Sequence, residues 1–213
     1  MSIMPPGETK KNLAYKLIRQ SIITGELNPG DILNIADLSE RLNLGITPVR
    51  EALIVLESDG LVRSLARTGY VITTVSLQDV IETFFLRTLM EVEAIDLAVE
   101  RISLMDLAAL EENRSREQQI ALENKIQPRN IGYELNREFH LLIARASGNQ
   151  RLARLVEHYM DEMERMLARD PYIIDPQQHV DILVALKQRD KVLAREAMRK
   201  HIENTKARIY DRF

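Results

Sequence analysis

The 213-residue sequence contains no cysteine, which excludes disulfide bonds, thiolate metal sites and cysteine nucleophiles. It also lacks any apolar run close to the roughly 20 residues that a membrane-spanning helix needs. Residues 1–10 carry two prolines and no apolar stretch, so we expect a flexible N-terminus that is neither a signal peptide nor an anchor. We therefore expect a cytoplasmic protein, in which any bound metal uses nitrogen and oxygen ligands.

An excess of positive charge is also missing. The formal net charge is −3, and residues 1–75 contain eight Lys or Arg residues against eight Asp or Glu residues. Bulk charge therefore gives no support for nucleic-acid binding, which would have to depend on where individual basic residues fall. With 45% hydrophobic and 29% charged residues, the chain has the composition of an ordinary globular protein long enough for two domains.

The N-terminal third predicts three short helices and a β-hairpin. Apolar residues recur at helical spacing over 12–24, over 35–42 and from about 47 to 60. The second and third helices are separated only by NLG at 43–45, which is a helix-turn-helix pattern. Runs rich in β-branched residues at 61–65 and 70–75 flank ARTG at 66–69, whose glycine suits a hairpin turn. These features predict a winged helix-turn-helix domain over 11–75.

The rest of the chain has helical patterns only. Ser76 is a plausible N-cap, and no segment from 77 to 213 has the alternation of a strand. The patterns and their breaks predict helices at 77–101, 103–122, 130–147, 150–169, 176–188 and 191–211. The expected fold is therefore mainly α, with the winged helix-turn-helix followed by an all-helical bundle over 76–213.

The histidines of the helical part have an informative spacing. His179 and His201 each lie 11 residues from Asp190, at the predicted connection between two helices, so both imidazoles should sit at the same height of an antiparallel hairpin. Asn136 precedes His140 by one helical turn and shares its face. Three imidazoles and an amide oxygen are a reasonable ligand set for a divalent metal. Spacing alone does not establish this, because histidines in helical proteins are more often packing or surface residues, as we expect for His158.

Three stretches of the N-terminal part point to a known family: ITPVREAL at 46–53, LESDGLV at 56–62 and RTGYV at 67–71. They closely resemble the GntR family of regulators. The resemblance implies that the third helix lies in the major groove, with Thr47, Pro48 and Arg50 in the DNA-reading motif, and that Arg67, Thr68 and Gly69 form the tip of a DNA-binding wing.

In that family the arginine that corresponds to Arg50 contacts base edges, and a bidentate pair with guanine is worth about 1–3 kcal/mol of discrimination against other bases. Alternatively, Arg50 is an ordinary solvated residue that pairs with Glu51 or Glu57. The sequence departs from the family in having Gly45 and Ile46 where Ser and Arg are usual before the Thr-Pro pair.

Further stretches, NREFH at 136–140, HVDILVAL at 179–186 and AMRKH at 197–201, are similar to the metal-binding form of the FCD effector domain in the FadR subfamily, in its VanR-like, short six-helix version. The resemblance implies a divalent metal, with zinc expected and nickel or manganese left open. Its implied ligands are Asn136, where relatives carry Asp, together with His140, His179 and His201. It also implies a small organic acid as effector and places Arg87 near the effector pocket; the alternative for Arg87 is a pair with Glu91 one turn along the same helix.

The resemblance covers nearly the whole chain and implies a DNA-binding transcriptional regulator, a repressor by family default, that acts as a homodimer on a pseudo-palindromic operator. Two alternatives remain at this point. A three-histidine metal is also the site of metal-dependent hydrolases or lyases, although the sequence has neither an HExxH motif nor paired carboxylates at catalytic spacing. Alternatively, the metal is purely structural. We expect a regulator and no enzyme.

Overall fold

The computed structural model describes residues 8–66, 68–123, 131–167 and 177–210. These residues form two compact units, Met1–Val75 and Ser76–Phe213. The predicted flexible segment 1–10 lies mostly outside the described residues, and the first helix begins at Lys10. The predicted fold class is confirmed: a small sheet accompanies the N-terminal helices, and the described part of the second unit is helical throughout.

The first unit is a winged helix-turn-helix whose elements follow the chain in the order α1 (Lys10–Ile23), β1 (Ile32–Leu33), α2 (Ile35–Leu42), α3 (Ile46–Ser58), β2 (Val62–Leu65) and β3 (Gly69–Ile72). The tight turn between α2 and α3 depends on Asn43, which adopts a left-handed conformation with φ of 52°. Asparagine is one of the few residues that tolerate this conformation at the end of a helix. The core of the unit is built from the inner faces of all three helices and the sheet, including Ile18, Leu38, Leu53, Leu56 and Ile72.

Strand β1 was not predicted. It pairs antiparallel with β3, which lies between β1 and β2 in the sheet, and aligns Leu33 with Tyr70. Gly69, at the start of β3, has a φ of +128°, and a Cβ atom there would collide with the carbonyl oxygen of Leu33. The close approach of β1 therefore requires a glycine at this position, independently of any contact of the wing with DNA.

The second unit contains six helices among its described residues: α4 (Leu77–Arg101), α5 (Leu104–Glu123), α6 (Ile131–Ala146), α7 (Gln150–Leu167), α8 (Val180–Gln188) and α9 (Lys191–Tyr210). Helix α4 packs against α6, α7 and α9, while α5 packs against α6 and α8. Ser76 and Asp79 form a reciprocal capping box that starts α4 where it was predicted.

One helix boundary was predicted wrongly. Residues 177–179 form a turn, and the helix expected from 176 begins only at Val180, with His179 as its N-cap. The other helix ends that were predicted within the described residues lie within two residues of their predicted positions, and the predicted ends at 130, 169 and 211 fall outside those residues. The α8–α9 hairpin is attached to the end of α4 by Arg189, whose guanidinium donates hydrogen bonds to the carbonyl oxygens of Val99 at 2.8 Å and Ile102 at 2.9 Å. These bonds satisfy carbonyl groups that the last turn of a helix leaves open. In the part of the chain that the structure describes, no helix is long and apolar enough to cross a membrane.

Candidate metal centre and nucleic-acid interface

Three histidines from three helical segments meet in the interior of the second unit. His140 lies on α6, His179 caps α8 and His201 lies on α9, and their exposed fractions are 1%, 0% and 6%. Each offers a nitrogen within 4.8 Å of the others, and the Nε2 atoms of His140 and His201 are 3.0 Å apart. The rings of His179 and His201 have centroids 4.8 Å apart, in agreement with the equal height expected from their spacing.

Two buried carboxylates orient these rings, and neither was predicted from the sequence. Glu91 of α4 accepts a hydrogen bond from Nδ1 of His140, and Glu117 of α5 accepts one from Nδ1 of His179 at 2.9 Å. Because a carboxylate only accepts hydrogen bonds, each Nδ1 must carry the proton, which leaves the Nε2 lone pair of each ring available. Such carboxylate–histidine pairs are typical of metal-binding imidazoles.

The geometry fits a metal ion. Nε2 of His179 is buried and has no hydrogen-bond partner among the described residues. A buried lone pair without a partner is costly unless another group binds it. Two nitrogen ligands of one tetrahedral zinc ion lie about 3.3 Å apart, given Zn–N distances of about 2.0–2.1 Å. The Nε2 atoms of His140 and His201, 3.0 Å apart, are close to this spacing, and the three histidines offer nitrogens that all lie within 4.8 Å of one another. Imidazole ligands suit zinc, nickel and related divalent ions.

Asn136, the fourth predicted ligand, is buried on α6 one turn before His140, with an exposed fraction of 6%. His158 lies on the exposed surface of α7, apart from the three-histidine cluster. Glu138 lies near His140 in the sequence but binds elsewhere, accepting hydrogen bonds from Asn113 at 2.9 Å and Arg116 at 3.1 Å.

The electrostatics favour neutral imidazoles beside a charged carboxylate. Burial lowers the pKa of His179 and of His201 well below the usual value, and His140 lowers both further. Burial raises the pKa of Glu91, but Arg87 and His140 lower it more strongly, so the net pKa is far below its ordinary range. The two histidines are therefore in the unprotonated state that a metal ligand requires.

These shifts predict that metal-free protein loses stability in mildly acidic solution. In the unfolded chain both histidines bind protons below their ordinary pKa of 6.5, whereas the folded protein takes up those protons only at lower pH. The unfolded state then binds more protons than the folded state. The contribution of the two histidines to the free energy of unfolding is therefore complete above their ordinary pKa and is lost as the pH falls toward their folded-state pKa. Urea unfolding of the metal-free protein in the presence of a chelator, between about pH 7.5 and 5.5, measures this change in stability, and His201→Leu should reduce it. A free energy of unfolding that stays constant over this range would contradict the assignment.

Arg87 lies beside the histidine cluster and is only 2% exposed. Its Nε donates to Glu91 at 2.7 Å, so the pair suggested by the sequence spacing is present, and Glu91 links it to His140 through the other carboxylate oxygen. The Nη2 atom of Arg87 is buried without a hydrogen-bond partner among the described residues. A buried guanidinium with an unused donor is a suitable contact for an additional anion.

A groove reaches the cluster from outside the bundle. It has a volume of about 520 Å³ and runs between the start of α8 and the outer face of α9, where it contacts His201. Lys200 and Arg208 line it together with Asp181, which forms an ion pair with Lys200 at 3.5 Å, and with neutral polar side chains such as Asn204. The volume falls in the range of small-molecule pockets.

In the first unit, the outer face of α3 is the candidate nucleic-acid interface. Thr47 and Arg50 are exposed and Pro48 is half-buried, while Val49 and Leu53 belong to the core. Arg50 makes no ion pair with any described residue, and Glu57, one of its suggested partners, accepts a hydrogen bond from the backbone of Ser64 at 2.7 Å. The guanidinium is thus free to bind another molecule.

The hairpin between β2 and β3 carries the remaining predicted DNA-binding residues. Thr68 is exposed at its tip, and Gly69 begins β3. Arg67 lies outside the described residues. The structure therefore places α3 and the hairpin in one winged unit, as the sequence pattern predicted.

Comparison with known proteins identifies both units. Residues 10–72 match the family described as bacterial regulatory proteins, gntR family, and residues 82–204 match the FCD domain. The repressor RspR of Escherichia coli is 27% identical over 203 residues, covering 93% of this chain and 88% of that protein. The helix-turn-helix regulator YdhC of Bacillus subtilis is 31% identical over 147 residues, which cover 69% of this chain and 65% of that protein.

Among solved structures, McbR/YncC of E. coli superimposes with a TM-score of 0.80 at 25% identity and covers 96% of this chain and 99% of that one. The family and these relatives are DNA-binding transcriptional regulators and not enzymes, which decides against the hydrolase or lyase alternative.

Proposed function

Because this chain belongs to the GntR family of transcriptional regulators and carries an FCD domain, we propose that it represses transcription from an operator whose affinity changes when a small carboxylate binds at the histidine cluster. The observation that supports DNA reading is Arg50, exposed and without an ion pair among the described residues on the outer face of α3. A guanidinium in that position suits the O6 and N7 acceptors of guanine in the major groove. Further contacts to the DNA backbone would come from Thr47 at the start of α3 and from the wing residues Arg67, Thr68 and Gly69.

The second unit would hold a divalent metal, with His140, His179 and His201 as nitrogen ligands and Asn136 as an oxygen ligand. Zinc suits this donor set, with nickel and manganese as alternatives. When bound, the ion would supply a positive charge, and an ion that takes more than four ligands would also accept a carboxylate oxygen. Glu91 and Glu117 hold His140 and His179 in the tautomer and orientation that expose Nε2.

The effector would be a small organic acid. Its carboxylate would bind beside the metal and accept a hydrogen bond from Nη2 of Arg87, the donor that the protein itself leaves unused. Lys200 and Arg208 outnumber Asp181, the one acidic side chain among the described residues that line the groove at His201, and would attract an anion toward this site.

We further propose that the protein acts as a homodimer. A helix-turn-helix unit reads only a few base pairs with one helix, and pairing two units over two half-sites one helical turn apart gives a useful operator length. The operator would then be pseudo-palindromic, with the same residues of each protomer facing each half-site.

The proposal is tested with the DNA fragment upstream of the protein's own gene. Metal-loaded protein should retard this fragment in preference to random fragments at moderate salt, and a panel of small mono- and dicarboxylates should contain one that changes the affinity by roughly 5- to 150-fold, the usual range of allosteric coupling. His158→Ala should respond like the wild type, whereas Arg87→Gln should respond weakly. Absence of any preference would refute the regulatory proposal. If specific binding is present but no carboxylate alters it, the metal is structural.

A further inference from the structure

Helix α3 carries two large aliphatic side chains that its own fold does not use. The side of α3 that faces the core carries its buried residues, Val49, Ala52, Leu53 and Leu56. In contrast, the side chain of Ile46 is 51% exposed and that of Ile54 is 54% exposed. Ile46, Arg50 and Ile54 follow one another at intervals of four residues, so they lie along the same outer stripe of the helix. The stripe that presents the guanidinium is therefore otherwise apolar.

Ile46 occupies the position in this stripe that best reaches base edges. It is the first residue of α3, one turn before Arg50, and its N-cap is Gly45, which has no side chain to cover it. Recognition helices of helix-turn-helix proteins contact bases mainly through their N-terminal residues. Ile54 lies about 12 Å further along the helix, at 1.5 Å per residue, and is therefore more distant from that end.

The chemistry of the major groove limits what an isoleucine can recognise. Its side chain makes no hydrogen bond, so it contributes nothing to a phosphate or to the donor and acceptor groups of guanine, cytosine or adenine. The apolar substituent exposed in the groove is the C5-methyl group of thymine. We propose that Ile46 is a specificity-determining residue that packs against a thymine methyl group in each half-site, next to the base pair that Arg50 reads. This inference rests on the proposed function, namely that α3 enters the major groove.

The experiment uses the full-length protein and an operator selected from a pool of random duplex DNA. Each thymine of the selected half-site is replaced in turn by deoxyuridine, which removes the methyl group and leaves every hydrogen-bonding group in place. For the wild type, one such replacement should weaken binding by about fourfold, as expected for the loss of one buried methyl group. Ile46→Ala should bind the thymine and the deoxyuridine duplex equally well, and with the affinity that the wild type has for deoxyuridine.

Ile54→Ala provides the matched control, because it removes an equally exposed isoleucine from the same stripe. It should retain the full deoxyuridine penalty of the wild type. If Ile46→Ala also retains that penalty at every thymine, or if no thymine shows one in the wild type, the inference about Ile46 is wrong although specific binding through Arg50 stands. If the random pool yields no preferred sequence at all, the proposed function fails and the inference fails with it. Circular dichroism of both variants should match the wild type, since neither side chain belongs to the core.

Discussion

Replacing Arg50 by alanine should weaken operator binding by about 1–3 kcal/mol, which is roughly 5- to 150-fold in the dissociation constant. The reason is geometric: a guanidinium donates two parallel hydrogen bonds to the O6 and N7 atoms of guanine, and alanine leaves both acceptors without a partner in a desolvated interface. Arg50→Lys should recover only part of this energy, because an ammonium group cannot reproduce the bidentate pair. Fluorescence anisotropy with the selected operator at fixed salt concentration measures the change.

Two controls separate this effect from a general loss of charge or of folding. Arg199→Ala removes an exposed arginine from α9 of the second unit and should leave operator affinity unchanged. The metal content of Arg50→Ala should equal that of the wild type, since position 50 belongs to the other unit. If Arg50→Ala binds specific and random duplexes with the same ratio as the wild type, base recognition by this residue is disproved.

Substituting both His179 and His201 by alanine should abolish stoichiometric metal binding. The double variant retains one of the three clustered imidazoles, His140, and a single nitrogen ligand with one amide oxygen does not complete the shell of a divalent ion. Elemental analysis after dialysis against a weak chelator measures the metal content, with His158→Ala as the matched histidine control. A double variant that still purifies with one metal ion per chain would refute the ligand assignment.

A milder variant keeps this test decisive if the double variant folds poorly. Glu117→Gln preserves the shape of the side chain but exchanges the carboxylate that accepts the Nδ1 proton of His179 for an amide. Loss of such a partner typically reduces metal affinity by about 10- to 100-fold, because the ring loses its fixed tautomer and part of its basicity. Calorimetric titration of zinc into metal-free protein gives the affinity. An unchanged affinity would show that Glu117 does not position His179 for a metal.

The helices were largely predictable because the signals that begin and end them are local. The capping box that begins α4 joins Ser76 to Asp79, only three residues later. The end of α2 depends on the left-handed conformation of a single residue, Asn43. Strand β1 was missed because its two residues carry no periodicity and exist as a strand only through pairing with β3. The start of α8 was misplaced because His179, used as its N-cap, makes no side-chain hydrogen bond of the usual capping kind.

The site was predictable only in part. The equal spacing of His179 and His201 about Asp190 indicated that their rings would meet, since helical rise converts sequence distance into height. The carboxylates had no such signal: Glu91 lies 49 residues from His140, and Glu117 lies 62 residues from His179. The unused donor on Arg87 was equally hidden, because the spacing to Glu91 suggested only the ion pair.

By itself the sequence determined most of the helices and the winged helix-turn-helix pattern, since these follow from spacing along one element. Together with a family resemblance carried by short motifs, it also predicted which residues would read DNA or bind a metal. Only the tertiary structure decided which atoms of those residues remain available to bind a metal or a ligand. Packing of α4 and α5 against the histidines occupies the Nδ1 atoms of His140 and His179, and leaves Nε2 of His140 3.0 Å from Nε2 of His201. Hydrogen bonds between distant elements depend on how surfaces fit together, and no local pattern of residues encodes that fit.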